Sequence, residues 1–208
     1  MKSPIVFATL AVVALLSGCA TVKPKDYSEF RRAQPRSILV LPPINQTTEV
    51  IAPYSLLTTT TRPIAEQGYY IYPVVVVDHY FKENGLTIPN DIHQVPLPKL
   101  REVFGADAVL YLTVTRYGSK YEVLSSNTYV GASAKLVDCR SGKLLWEGSV
   151  LAQNAGQSGL LEALVTQVMN KLMDQAHAVA TIASYQLFLP PGQGLLKGPR
   201  HPEFGKEP

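Results

Sequence analysis

Residues 105–115, GADAVLYLTVT, and residues 138–152, DCRSGKLLWEGSVLA, decide the fold. Residues 106–115 form a largely apolar run, as expected of a strand covered on both faces. The second stretch opens on a turn, Asp138 to Lys143, with Gly142 inside it, and continues into alternation. Leu144, Trp146, Val150 and Ala152 fall on one side, and Glu147, Ser149 and Gln153 on the other. Upstream of the turn, Thr128, Val130, Ala132, Ala134 and Leu136 alternate with Tyr129, Gly131, Ser133 and Lys135. A period of two with one wetter face is a half-buried strand, and two such strands across a Gly-containing turn are a hairpin. Residues 117–124 add a third strand, so an antiparallel meander is expected, with Gly118 and residues 125–127 as turns.

Working outward, SILVL at 37–41 reads as a buried first strand ended by Pro42 and Pro43. Residues 45–50 read as a polar loop, and residues 54–67 as a helix stopped by Gly68. Residues 69–77, YYIYPVVVV, read as a strand in which Pro73 marks an edge or a bulge. Residues 78–84 allow one or two helical turns, and residues 98–104 a short helix capped by Gly105. The strongest helical period covers residues 159–185, where Leu161, Leu164, Val165, Val168, Leu172, Ala176, Val179 and Ala183 make one apolar stripe after a Ser158 N-cap. Beyond Leu189 the chain is rich in Pro and Gly, and a mobile or partner-bound tail is expected.

The first residues carry a different message. Lys2 precedes an apolar run from Ile5 to Leu16, which has the form of a secretory signal. The run is shorter than the roughly 18–20 apolar residues that a spanning helix needs. It ends in Leu16-Ser17-Gly18-Cys19, the pattern of a bacterial lipobox, whose Cys sulfur takes a diacylglycerol before cleavage. Cys19 is therefore the expected lipidation site. Residues 20–36 carry Lys23, Lys25, Arg31, Arg32 and Arg36 against Asp26 and Glu29, and read as a solvated tether. Ala20 after the Cys, where an Asp favours the inner membrane, favours the outer one. The expected organisation is a signal at 1–18, a tether at 19–36, one α/β domain at 37–186 and a flexible tail at 187–208.

Composition narrows the function. The formal net charge of +3 falls by one when Lys2 leaves with the signal, too little to argue for nucleic acid. Once Cys19 is acylated, Cys139 is the one remaining cysteine, so no internal disulfide forms and burial is its expected state. A G-x-S-x-G elbow is absent, and Gly142-Lys143 lacks the rest of a P-loop. Gly192-Gln193-Gly194 follows no strand. The histidines at 79, 93, 177 and 201 have no metal-ligand spacing. Asp78-His79 is the one pair that offers a base and its orienter, and a structural role is the plainer reading for it. No catalytic residue, cofactor, metal or small-molecule substrate is expected.

The order of these elements resembles a known group. Gly105–Leu112 is similar to the GAD-plus-strand segment of proteins built like CsgG, the curli secretion lipoprotein, and Asp138–Glu147 to their D-x-x-[ST]-G-K-x-x-W hairpin. From the lipobox to Leu189 the chain resembles a family of lipoproteins first noted as a meningococcal vaccine-antigen candidate. That resemblance implies a non-catalytic, nucleotide-free domain, CsgG-like and related to the N-terminal domain of TolB. It carries over no active-site residue. The pore hairpins of CsgG have no room here, because the meander uses every residue between 117 and 152. The expected function is an outer-membrane-anchored periplasmic scaffold, an accessory subunit of an envelope assembly or secretion complex. A tethered regulator of peptidoglycan synthesis is the alternative, and an envelope enzyme the third. Eleven tyrosines stand beside one tryptophan. Tyr70 and Tyr129, in strand-like segments, are the candidate contacts for a second copy or another envelope lipoprotein.

Overall fold

The computed structural model describes residues 25–122, 125–153 and 175–206, with residues 119–127 as backbone only. The expected lipidation site Cys19 and the first part of the expected long helix, with Ser158, lie outside the described residues. In chain order the elements are α1 (Ser28–Ala33), β1 (Ser37–Val40), β2 (Ile44–Asn45), α2 (Ala52–Glu66), β3 (Tyr70–Ile71), α3 (Val74–Glu83), α4 (Pro89–Ile92), α5 (Leu97–Phe104), β4 (Ala108–Glu122), β5 (Ser125–Asp138), β6 (Leu144–Gln153) and α6 (Gln175–Phe188). The sheet order is β3-β1-β4-β5-β6, and β2 also pairs with β4. Strands β3, β1, β2 and β4 run parallel, whereas β4, β5 and β6 form the antiparallel meander. The class is a mixed-sheet α/β fold with flanking helices and a C-terminal helix, as the sequence predicts.

The apolar runs of β1 and β4 follow from what covers them. Ile38, Val40, Leu110 and Leu112 enter one core with Leu56 and Ile64 of α2 and Val179, Ala183 and Phe188 of α6. Leu39, Leu41 and Val109, one residue out of phase, enter a second core with Val77, Phe81, Ile92, Leu100 and Cys139. Successive side chains point to opposite faces, so a strand covered on both faces cannot alternate in polarity. Each fully buried Leu or Ile stabilises the fold by roughly 1.5–3 kcal/mol. In β5 the alternation does appear: Val130, Ala132, Ala134 and Leu136 are buried and Lys135 is exposed.

Several expectations are corrected. The strand expected at 69–77 shrinks to Tyr70–Ile71, and the valine run opens α3 instead. Proline suits that start, because its φ is preset and it has no N–H to leave unpaired. The Pro73 carbonyl accepts the N–H groups of Val76 at 3.0 Å and Val77 at 3.1 Å. Burial of Val77 and Phe81, four residues apart on one helical face, overrides the β preference of valine. Gly118 is not a turn: it lies inside β4 opposite Tyr129, at φ +119°, and residues 125–127 belong to β5. A bulge between Leu136 and Val137 leaves Leu144 exposed while Leu145 and Trp146 are both buried.

The two ends also depart from expectation. From Lys25 onward the tether is part of the domain: α1 forms, and Tyr27 and Phe30 are buried. The segment after α6 makes no regular element, as its prolines and glycines dictate, yet it packs as irregular chain rather than hanging free. Its carbonyls serve as acceptors: Tyr27 donates to Gly194 at 2.6 Å, Trp146 Nε1–H to Gln193 at 2.8 Å and Tyr69 to Leu196 at 2.6 Å. Leu195 is buried beneath them. The packed unit therefore exceeds the expected 37–186 at both ends.

Candidate interaction surface

The motif residues are structural. One carboxylate oxygen of Asp107 accepts the Arg36 N–H at 3.0 Å and the Ser37 hydroxyl at 3.4 Å, and the other accepts Arg140 at 3.2 Å. The Asp107 N–H donates back to Ser37 Oγ at 3.1 Å. The aspartate of GAD thus pins the start of β1 to the start of β4. Asp138 accepts both the N–H and the hydroxyl of Ser141 at 2.7 Å and so closes the hairpin turn, in which Gly142 takes φ +68°. Lys143 bridges from the turn to Glu29 of α1 at 3.0 Å.

The described titratable groups pair with neighbours in the fold. Cys139 is 3% exposed, and burial, with Asp138 next to it, pushes its thiol up to about 11, so it stays protonated. Asp78 pairs with Lys82 at 2.6 Å, one helical turn on, rather than with His79. His93 donates Nε2–H to the Pro42 carbonyl at 2.9 Å and meets the Tyr111 ring edge-on, and burial lowers its pKa. Sequence reasoning missed Ser55 and His177, which share a 2.8 Å hydrogen bond between α2 and α6. Ser55 is buried in the first turn of α2, and Thr59, one turn on, bonds Ser184 at 3.0 Å. This is a hydroxyl seam between two helices. Among the described residues no cluster of His, Cys, Asp or Glu is suited to hold a metal ion.

What the surface does offer is apolar. Outside the carboxyl ends of β1 and β3 lies a groove of about 230 Å³, lined by Pro42, Pro43, Tyr54, Leu57, Val75 and Ile92 among others. Of its lining residues Val75 (77% exposed) and Tyr54 (57%) face solvent, and Val50, Ile51 and Ile88, close by in sequence, are exposed as well. Its charged lining residues, Asp78 and Lys82, neutralise each other. Contiguous exposed apolar surface of this kind marks contact sites. The expected contact residues lie elsewhere and apart. Tyr70, 42% exposed on edge strand β3, is held by the Tyr72 ring and by Arg200, whose guanidinium sits 5.5 Å from its centroid. Tyr129 is half-buried in β5, opposite Gly118 on one side and Gln153 on the other. The Pro73-Val-Val-Val-Val run gives no sign of the groove in the sequence; only its folding as α3, with Val75 outward, brings it to Pro42 and Tyr54.

The class defined by this architecture is an α/β domain with a mixed sheet, clasped by its own terminal segments, with no membrane-crossing helix among the described residues. The chain belongs to the family described as "Putative lipoprotein GNA1162-like", whose model matches residues 25–200. It is 46% identical over 204 residues to a Neisseria meningitidis serogroup B protein named NMB1124/NMB1162, covering 93% of this chain and 95% of that one. The crystal structure of lipoprotein GNA1162 from Neisseria meningitidis is similar at TM-score 0.56 and 48% identity, over 66% of this chain and 98% of the other. A looser likeness, at 15% identity and TM-score 0.49, is to the PelC dodecamer of Paraburkholderia phytofirmans, over 79% and 91% of the two chains.

Proposed function

We propose that this lipoprotein is held by a lipid on Cys19 to the outer membrane, faces the periplasm, and works there by contact as a non-catalytic scaffold or accessory subunit of an envelope assembly. The observation that carries the reading is the apolar groove between α2 and α3, whose lining exposes Tyr54 and Val75. Leaving such surface in water is unfavourable by roughly 25 cal/mol per Å², and a second copy of the chain or another envelope lipoprotein would cover it. The regulator of peptidoglycan synthesis is disfavoured by the docking of Lys25, which shortens the free tether and keeps the domain near its membrane. The test is the mass of the acyl-free protein over a concentration series, by analytical ultracentrifugation, with crosslinking in intact envelopes as a second arm. A discrete oligomer, or a stoichiometric partner crosslinked at Val75, is expected. A strict monomer with no crosslink at that rim overturns the proposal.

A further inference from the structure

We infer that the edge of the domain formed by β6 and the start of α1 is the face turned toward the lipid bilayer, and that the α2–α3 groove points away from it. The inference rests on the Cys19 anchor proposed above. Its structural basis is a clasp. The Lys25 N–H donates to the Gly192 carbonyl at 3.4 Å, and its ammonium donates to the Glu147 carbonyl while lying 5.1 Å from the Trp146 ring centroid. Two residues on, buried Tyr27 donates to Gly194, and Trp146 donates to Gln193. The chain is thus fixed to the β6 edge from Lys25 onward, by groups from the N-terminal segment, β6 and the C-terminal segment together.

A lipid on Cys19 leaves six residue steps before that fixed point. Whatever its conformation, such a leash spans no more than about 20 Å at roughly 3.3–3.6 Å per residue. Strand β3 lies four positions from β6 in the sheet, about 19 Å away at roughly 4.8 Å per spacing. The groove, outside the ends of β1 and β3, therefore lies three to four strand spacings from the β6 edge that carries the clasp. The leash keeps the β6 edge within its own reach of the membrane surface, and the charge at that edge turns the opposite edge outward.

Charge agrees with this placement. Lys25 and Lys135 share an open cavity at the β6 edge with Glu147. Glu29 of α1 is outnumbered by its partners Arg32, at 2.7 Å, and Lys143, at 3.0 Å. Cationic side chains close to a bilayer are attracted by anionic headgroups, and that attraction fades within a Debye length. The groove, by contrast, is apolar and carries no net charge, so it offers headgroups nothing.

The experiment uses the full mature protein in vesicles that contain an anionic lipid and a lipid with a photoreactive headgroup. After illumination, the lipid adducts are mapped to peptides by mass spectrometry, and the same spectra report the mass on Cys19. Adducts concentrated in residues 25–32 and 143–149, and lost from the peptides holding Val50, Tyr54 and Val75, are the expected result. A second readout needs no substitution: Trp146, the single tryptophan, should transfer energy efficiently to a dansyl-labelled headgroup. Even labelling, or labelling concentrated around Val50 and Val75, on protein whose Cys19 carries lipid overturns the orientation and leaves the anchor standing. A Cys19 without lipid overturns the anchor, and the orientation falls with it.

Discussion

At the amino-terminal ends of β1 and β4, polar side chains serve the backbone; at the carboxyl-terminal ends of β1 and β3, apolar side chains face water. In the first region Asp107 and Asp138 take the N–H groups of Arg36 and Ser141, and Lys143 ties the turn to Glu29. In the second, exposed Tyr54 and Val75 line a groove between prolines, and Val50 and Ile51, just ahead of Tyr54 in sequence, are exposed too. The first region carries the GAD-plus-strand and hairpin motifs through which the chain resembles CsgG-like proteins, and the groove residues belong to neither. Motifs of this kind record what the fold needs, whereas a contact surface is free to change with its partner. If so, substitutions in the motif end and in the clasp joined to it should cost stability and leave association to follow, while substitutions at the groove should do the reverse.

The largest effect is expected at Trp146, 3% exposed and packed on Phe188 with ring centroids 5.5 Å apart. Trp146→Ala removes that packing and leaves the Gln193 carbonyl without its donor. A loss of about 3–5 kcal/mol, as found for large aromatic-to-alanine changes in cores, is expected in urea unfolding of the acyl-free protein. A loss below about 1 kcal/mol would mean that the clasp is a surface decoration and would weaken the contrast.

Next comes Asp138→Ala. The Ser141 N–H and hydroxyl lose a carboxylate acceptor at a site where Asp138 is itself buried. Hydrogen bonds to a charged group contribute about 1.5–3 kcal/mol, so a drop of that order is expected. Asp138→Asn retains an acceptor and should recover part of it. Equal losses from both substitutions would show that the charge matters and the turn geometry does not.

A pH titration sharpens the comparison at the groove end. His93 sits beside groove residue Ile92 and donates to Pro42, another groove residue, and burial lowers its pKa in the folded protein. The unfolded chain takes up the proton first, near the ordinary histidine value of about 6.5. The folded chain resists until the pH is lower. Stability contributed by neutral His93 is therefore present above the unfolded pKa and is lost as pH falls from there through the folded value. Wild-type stability should decline over that window more steeply than that of His93→Gln. Parallel profiles for the two proteins would remove His93 from the account.

How much of this was legible in the sequence depends on which physical signal each region carries. Strands β1 and β4 were readable because both faces are covered, and β5 because one face is wetter. Residues 74–77 were misread because four valines favour a strand locally, while the helix is decided by tertiary burial of Val77 and Phe81. The terminal segments were misread for a related reason. Proline and glycine forbid regular structure, but they do not forbid a carbonyl from accepting Tyr27 or Trp146 across 167 or 47 residues of sequence. Tyr70 and Tyr129 lie in strands, as their segments predict, with Tyr70 engaged by Arg200 and Tyr129 half-buried. The groove had no local signature at all, because Pro42, Tyr54 and Val75 meet only in the folded chain.

The smallest effect on stability, and the most informative one, is expected for Val50→Ser combined with Val75→Ser. Both side chains are more than three-quarters exposed, so neither contributes appreciable burial, and exposed substitutions of this kind usually change stability by less than about 0.5 kcal/mol. Serine removes Val75 from the groove lining and also Val50, the most exposed large apolar side chain among the described residues, and leaves the Asp78–Lys82 pair untouched. If the groove is a contact surface, the double substitution should abolish the concentration-dependent mass increase and the crosslink at this rim while the unfolding curve overlays that of the wild type. Tyr70→Ser serves as the control: Tyr70 is 42% exposed on strand β3 and held by Arg200, and its loss should leave association intact. Retained association in the double variant, with loss in Tyr70→Ser, would move the contact surface to the β3 edge and reverse the assignment of the two ends.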